Sequence, residues 1–192
     1  MEQLFIKRFT YYKDLGDKTF EQLNDDHFFW QYNEESNSIA TIIKHMAGNM
    51  LSRWTHFLTE DGEKNWRNRD EEFLNTFKSK NDALEYWEKG WKCLFDALSQ
   101  INEENIHATI YIRGEAHSVL DAVLRQLAHY PYHVGQIIYI AKMIKNDEWK
   151  SLSIPRNKSL EFNQKMFKEN EIQENSSPVC FKNSDEVRKD YQ

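Results

Sequence analysis

The chain has 192 residues, 40% hydrophobic and 14% aromatic, which is long and apolar enough for one domain with a sizeable core. Six glycines and three prolines supply few turns, which excludes a β-rich fold and favours long helices with short connections. A formal net charge of −6 argues against duplex nucleic acid as the main partner, because that affinity depends on neutralising phosphates.

Apolar residues recur every three or four positions in the first half of the chain, which predicts amphipathic helices. The first helix is predicted over residues 1 to about 23. After a polar and aromatic loop, the second is predicted over about 38 to 59. A long ordered connection follows, and Asn81 is the predicted N-cap of the third helix.

The second half carries a hairpin signal and a strong helix start. The stretch ATIYIRGEAH alternates around an Arg-Gly turn, which predicts one short hairpin. Ser118 with Asp121 forms a capping box, which predicts a fourth helix running to about Lys145. The segment after that helix is predicted to be mostly irregular. We therefore predict an all-α four-helix bundle over residues 1–168 and a polar, frayed tail over 169–192.

The sequence carries no targeting signal that we recognise. Its first residues, MEQLFIKRFTYYKD, place charges too early for the apolar core of a signal peptide. No apolar run approaches the ~20 residues needed to span a bilayer. We therefore expect a cytoplasmic protein that contacts neither a membrane nor nucleic acid.

Two of the seven histidines lie four residues apart in the motif HYPYH. His129 and His133 are one helical turn apart on one face, so they can bind one ion together. Pro131 falls on a different face, so the kink it introduces need not disturb their common direction. The motif alone is also typical of an ordinary kinked helix with two packed imidazoles.

A third ligand has to come from another helix, because two imidazoles leave a tetrahedral or octahedral ion under-coordinated. His45 is the best candidate, since it lies in the apolar stretch IATIIKHMAGNM, an unusual setting for a titratable side chain. His56 lies on nearly the same face but about 16 Å farther along the axis, so it cannot share an ion with His45. His117 is likewise about 18 Å from His129, and we expect surface or cap roles for His56 and His117.

The chain resembles the DinB-like superfamily, and within it a bacterial branch of unknown function. The segments that carry the resemblance are IIKHMAGNMLSRWTHFLTEDGEKNWRNRDEEF, RGEAHSVLDAVLRQLAHYPYHVGQIIYIAK and IPRNKSLEFN. The resemblance implies a DinB-like four-helix bundle, with a long loop between helices 2 and 3 and a small hairpin before helix 4, and commonly a homodimer. It also implies a divalent ion, usually nickel or zinc, held by His45, His129 and His133.

Three neutral imidazoles leave an open position on the ion, which is typical of catalytic rather than structural sites. Such an ion can acidify a bound water or hold a thiol as thiolate. The resemblance therefore implies a metal-dependent enzyme, a thiol transferase or a hydrolase, acting on a small molecule, with a low-molecular-weight thiol as one candidate co-substrate. The alternative is a non-catalytic, metal-stabilised dimeric helical module of the stress response.

Four further residues are candidates for the surroundings of the ion. Asn49 and Arg53 follow His45 at one-turn intervals, so both are predicted to line the same cavity. Arg53 there could hold an anionic substrate group bidentately, and the alternative is a surface ion pair with the acidic stretch TEDGE. Gln126 and Gln136 each lie three residues from a ligand and could support it by hydrogen bonds.

The loop NWRNRDEEF, between the second and third predicted helices, has two interpretations. It is either a lid over the site or a rigid surface loop pinned by Trp66. Its candidate lid residues are Trp66, Arg67, Arg69, Asp70 and Glu72. No carboxylate lies at helical spacing from the three histidines, so the sequence indicates no general base.

Overall fold

The computed structural model describes residues 2–176. The chain divides into two compact units, Met1–Lys150 and Ser151–Gln192. Helices make up most of the described chain, which confirms the predicted helical fold, and none of these helices is long and apolar enough to cross a lipid bilayer. The first unit contains α1 (Glu2–Phe20), α2 (Asp25–Phe29), α3 (Ile39–Trp54), α4 (Lys80–Leu98) and α5 (Val119–Lys145).

The four long helices of the first unit pack against one another. The helix α3 contacts α4 most extensively, α1 contacts α5, and further contacts join α3 to α5 and α1 to α4. Nearly every residue of α3 is buried, including His45, Asn49 and Arg53. Because buried polar groups are costly unless they are hydrogen-bonded, these three side chains need partners inside the fold.

Large aromatic side chains fill the space between the helices. Trp87 and Trp91 of α4, Phe9 of α1 and Tyr130 of α5 are all essentially inaccessible to solvent. The rings of Trp91 and Tyr130 meet edge to face, with centroids 6.0 Å apart. Burying one such side chain stabilises the fold by about 1.5–3 kcal/mol. This packing holds α5, and with it the HYPYH motif, against α1 and α4.

The helix α5 begins and ends where the sequence predicts. The Ser118 hydroxyl accepts a hydrogen bond from the backbone N–H of Asp121, which satisfies one of the free donors of the first turn. Pro131 lies inside the helix without ending it. Because the helix continues through Pro131, His129 and His133 remain one turn apart on one face.

Two predicted helix boundaries and one predicted loop are wrong. The second long helix ends at Trp54 rather than near residue 59, because the chain becomes extended there and His56 then adopts a left-handed conformation with φ of 49°. The N-cap of α4 is Ser79 rather than Asn81, since the Ser79 hydroxyl accepts a hydrogen bond from the backbone N–H of Asp82. The loop predicted after α1 contains the short helix α2, which Asn24 caps.

The predicted hairpin forms from β1 (Thr109–Ile112) and β2 (Glu115–Ser118), which pair antiparallel. Arg113 and Gly114 have φ of 59° and 74°, and positive φ at both central positions is typical of a type I′ turn. The carboxylate of Asp61 accepts the backbone N–H groups of Arg113 and Gly114, at 2.8 and 2.7 Å. These bonds attach the hairpin to the connection between α3 and α4.

The second unit contains a helix where the sequence predicts a mostly irregular segment. This helix, α6, runs from Ser159 to Ser176. Lys165 and Glu169 are spaced i,i+4 and form an ion pair at 3.7 Å, which favours the helix. Residues 169–176, predicted as part of the polar tail, continue this helix, and residues 177–192 of that tail lie outside the described residues.

Two helical glycines provide a matched test of the packing of α3 on α4. A Cβ added at Gly90 would lie 2.7 Å from the Ala47 Cα, so we expect Gly90→Ala to destabilise the protein by about 1–3 kcal/mol. A Cβ at Gly135 would meet no atom within 4 Å, so Gly135→Ala should stabilise it by about 0.5–1 kcal/mol. Urea unfolding measures both changes in the free energy of unfolding. Equal effects would contradict the close approach of α3 and α4.

Candidate metal centre

Three histidine side chains from α3 and α5 converge in the first unit. One ring nitrogen from each of His45, His129 and His133 lies within 4.8 Å of those of the other two. The Nε2 atoms of His129 and His133 are 3.0 Å apart, and the ring centroids of His45 and His133 are 4.9 Å apart. These three histidines could therefore hold one metal ion, the arrangement that the helical spacing predicts.

Two glutamines orient the histidines of α5. The Nδ1 atom of His129 lies 3.2 Å from Gln126 Oε1, and that of His133 lies 2.8 Å from Gln136 Oε1. An oxygen acceptor places the proton on Nδ1, which leaves the Nε2 lone pair free to bind a metal. Gln126 and Gln136 thus make the hydrogen bonds that their spacing from the histidines suggests.

The acceptor for His45 is Glu72, a buried carboxylate in the connection between α3 and α4. Its Oε2 lies 3.0 Å from His45 Nδ1. Arg67 donates two hydrogen bonds to the same carboxylate, from Nε to Oε1 at 2.7 Å and from Nη2 to Oε2 at 3.0 Å. Burial alone would raise the pKa of Glu72, but the bonds from His45 and Arg67 lower it. The carboxylate therefore stays charged and can fix the orientation of His45.

Hydrogen bonds hold the segment that contains Glu72 against α3. Glu72 lies in a short 3₁₀ helix, Asp70–Phe73. The ammonium group of Lys44 donates hydrogen bonds to the backbone oxygens of Glu71 and Leu74, at 2.6 and 3.1 Å. A Cβ added at Gly48 would lie 2.5 Å from Glu72 Oε1, so a side chain there would displace the carboxylate.

Glu72 is the residue that the sequence patterns miss, since they indicate it only as one candidate lid residue. It is 27 positions from His45 and lies outside the long helices, so no helical spacing connects the two. The interpretation of this loop as pinned by Trp66 is wrong, because Trp66 is 60% exposed. The Arg67–Glu72 pair and the bonds from Lys44 hold the loop instead.

Burial makes the histidines of α5 poor bases. Burial, followed by the charges that His133 and His45 would carry, lowers the pKa of His129 to about 3. Burial also lowers the pKa of His133, against a raising effect of Gln136. Both imidazoles are therefore neutral at pH 7, the form that binds a metal ion.

A cavity of about 200 Å³ opens beside this site, and two of its histidines, His45 and His129, line it, whereas His133 does not. Asn49 and Arg53 both line it, as their spacing from His45 predicts. Of the two glutamines, Gln126 lines this cavity and Gln136 does not. The remaining lining residues are His45, His129 and four arginines, Arg67, Arg69, Arg113 and Arg125.

A buried chain of hydrogen bonds joins α3 to α5 beside the cavity. The indole N–H of Trp54 donates to the Tyr130 hydroxyl at 3.2 Å, and that hydroxyl donates to Asn49 Oδ1 at 3.0 Å. Burial raises the pKa of Tyr130, so the hydroxyl keeps its proton. These bonds fix Asn49 and help to hold the two histidine-bearing helices in register.

Arg53 is buried in the wall of the cavity and lacks a counterion among the described residues. It is 5% exposed, and its Nε and Nη1 atoms have no hydrogen-bond partner there. Burial is the main cause that lowers the pKa of Arg53. The interpretation as a surface ion pair with residues 59–63 is wrong, because the guanidinium group is buried against Gly62. A Cβ at Gly62 would lie 2.8 Å from Arg53 Nη1.

The two other histidines considered as ligands lie apart from this site. His56 is on the surface, where its Nδ1 lies 2.9 Å from Glu60 Oε1. His117 is in β2, and its Nδ1 lies 2.7 Å from Asp121 Oδ2 in the first turn of α5. His56 therefore has the expected surface role, His117 contacts the start of α5, and neither belongs to the group of three histidines.

One family model matches most of the chain. It is described as "Protein of unknown function (DUF1572)" and matches residues 2–158. No curated protein matches the sequence significantly. The matched range includes all three histidines of the candidate site and Glu72.

We expect Glu72→Gln to weaken metal binding by about 10- to 100-fold, because the neutral amide orients His45 less firmly and lowers its basicity. Competition with a coloured chelator measures this affinity. The control is Glu71→Gln, which removes one charge from the neighbouring exposed position. Unchanged metal affinity in Glu72→Gln would contradict the role of this carboxylate.

Proposed function

The chain belongs to the DUF1572 family, whose description assigns no function, and we propose that it is a metal-dependent enzyme acting on a small molecule. The observation that carries the proposal is the convergence of three imidazole groups beside a polar cavity. The cavity matters because a structural metal site is normally closed, whereas a catalytic one keeps a position open to a substrate.

The two histidines of α5 have the spacing of two ligands of one metal ion. Two nitrogen ligands at about 2.0–2.1 Å from one ion, at right angles to each other, lie about 3 Å apart. The Nε2 atoms of His129 and His133 are separated by 3.0 Å. Since an amide oxygen faces each Nδ1, both Nε2 atoms direct lone pairs at each other. A shared cation stabilises this arrangement, and without one the two lone pairs repel.

The donor set supports a divalent transition metal. Neutral imidazole suits zinc, nickel, copper and iron, and the resemblance to the DinB-like superfamily favours nickel or zinc. His45, His129 and His133 would bind the ion, and Glu72, Gln126 and Gln136 would orient them. When bound, the ion supplies Lewis acidity, which lowers the pKa of a coordinated water or thiol.

The proposal includes a DinB-like four-helix bundle formed by α1, α3, α4 and α5, within a domain of residues 1–168 that precedes the tail 169–192. The contacts among these helices support it, as do the histidine positions on the second and fourth of them. By the same resemblance, the reaction is thiol transfer or hydrolysis in the cytoplasm, with a low-molecular-weight thiol as candidate co-substrate. No side chain is assigned as a general base.

The second candidate is a non-catalytic homodimeric module, in which the ion only joins α3 to α5. An exposed aromatic groove of 810 Å³ supports an interaction role. Its lining includes Tyr132 and Tyr139 of α5, which are 61% and 67% exposed, together with Trp30 and Tyr32. Light scattering tests the dimer, since a mass of 23.1 kDa in solution would exclude it.

The first test of the proposal is the metal content of protein purified without added metal or a histidine tag. We expect about one ion per chain in the wild type and a loss of the ion in His129→Ala, because two imidazoles bind too weakly to retain it. His56→Ala removes an exposed histidine and serves as the matched control. A wild type that contains no ion and binds neither nickel nor zinc when these are added would refute the proposal.

A further inference from the structure

The cavity beside the three histidines has an excess of positive charge. Five arginines line it, and no aspartate or glutamate does. Two of these arginines are neutralised by carboxylates outside the lining. Arg67 Nε lies 2.7 Å from Glu72 Oε1, and Arg113 Nε lies 3.1 Å from Glu63 Oε2. The other three, Arg53, Arg69 and Arg125, form no ion pair among the described residues.

Arg53 is the most unusual of the three, because only 5% of it is exposed and its Nε and Nη1 atoms have no acceptor among the described residues. A buried charged donor without a partner is costly, and folded proteins rarely keep one. The guanidinium group packs against Gly62, where an added Cβ would lie 2.8 Å from Nη1, and Arg53 also lines the cavity. This guanidinium group is thus placed to receive an acceptor that the described chain does not supply.

The three arginines without an ion pair among the described residues differ in their exposure to solvent. Arg53 is buried, whereas Arg69 and Arg125 are exposed. Exposed positive charges around a cleft attract anions and raise their local concentration. His45 and His129 line the same cavity, so an anion held by Arg53 would lie beside the proposed metal centre.

We propose that this cavity binds a small dianionic group, a phosphate or a pair of carboxylates, and so selects an anionic substrate. Guanidinium groups bind both kinds of oxyanion through paired hydrogen bonds. The volume of about 200 Å³ suits one such group rather than a large molecule. This proposal rests on the proposed function in one respect only, that the bound anion is a substrate of the metal centre.

Calorimetric titration of metal-loaded protein with inorganic phosphate and with succinate tests the proposal. We expect Arg53→Met, which keeps an apolar stem and removes the charge, to lower the affinity for the preferred anion by roughly tenfold or more. Arg125→Gln at the exposed mouth should lower it by about two- to fivefold. Arg8→Gln, a loss of the same charge at an exposed position on α1, is the control and should bind as the wild type does.

The two anions identify the chemistry of the group, and binding of either one with the expected effect in Arg53→Met supports the proposal. A wild type that binds neither anion would overturn it, as would wild-type affinity in Arg53→Met. Thermal unfolding checks that Arg53→Met is folded, and Arg125→Gln provides an independent test at an exposed position if it is not.

A second titration separates this proposal from the proposed function. Metal content is measured on the same samples, and the titrations are repeated after treatment with a chelator. Anion binding that depends on Arg53 in metal-free protein supports the charged cavity even if the chain binds no metal. Metal binding without anion binding supports the metal centre and overturns the anion site.

Discussion

The buried polar side chains of α3 are the constraint on which the site depends. This helix is mostly apolar, and it carries His45, Asn49 and Arg53 at intervals of one turn in the interior. Each of these side chains needs a hydrogen-bond partner there, since an unpaired polar group in a low-dielectric interior is costly. Glu72 accepts from His45, and Tyr130 donates to Asn49. Arg53 lacks such a partner among the described residues, and the proposed anion would provide it.

The three histidines are held in two different ways, and the difference has a chemical consequence. On α5, the neutral amides of Gln126 and Gln136 hold their ligands at helical spacing. On α3, the charged carboxylate of Glu72 holds His45, and Arg67 holds the carboxylate. A carboxylate acceptor raises the basicity of an imidazole more than an amide does, so His45 would be the strongest donor to the ion. The connection between α3 and α4 therefore contributes directly to the candidate metal centre.

Local signals predict the parts of the site that local structure determines. The cap at Ser118 and the period of the helix place His129 and His133 together, and the apolar setting of His45 identifies the third histidine. The bond between Glu72 and His45 could not be predicted, because an irregular connection brings Glu72 to α3 and no sequence period describes that path. The sequence does not indicate either that Arg53 lacks a counterion among the described residues, because the acidic stretch 59–63 predicts a surface ion pair.

The most direct measurement of the central claim is a crystal structure of nickel- or zinc-loaded protein, with the ion located by anomalous scattering. We predict one ion bonded to the Nε2 atoms of His45, His129 and His133, with its remaining coordination open toward the cavity that Arg53 lines. An ion bound elsewhere, or one whose fourth position is closed by a protein side chain, would contradict the account of an open metal centre beside an anion site.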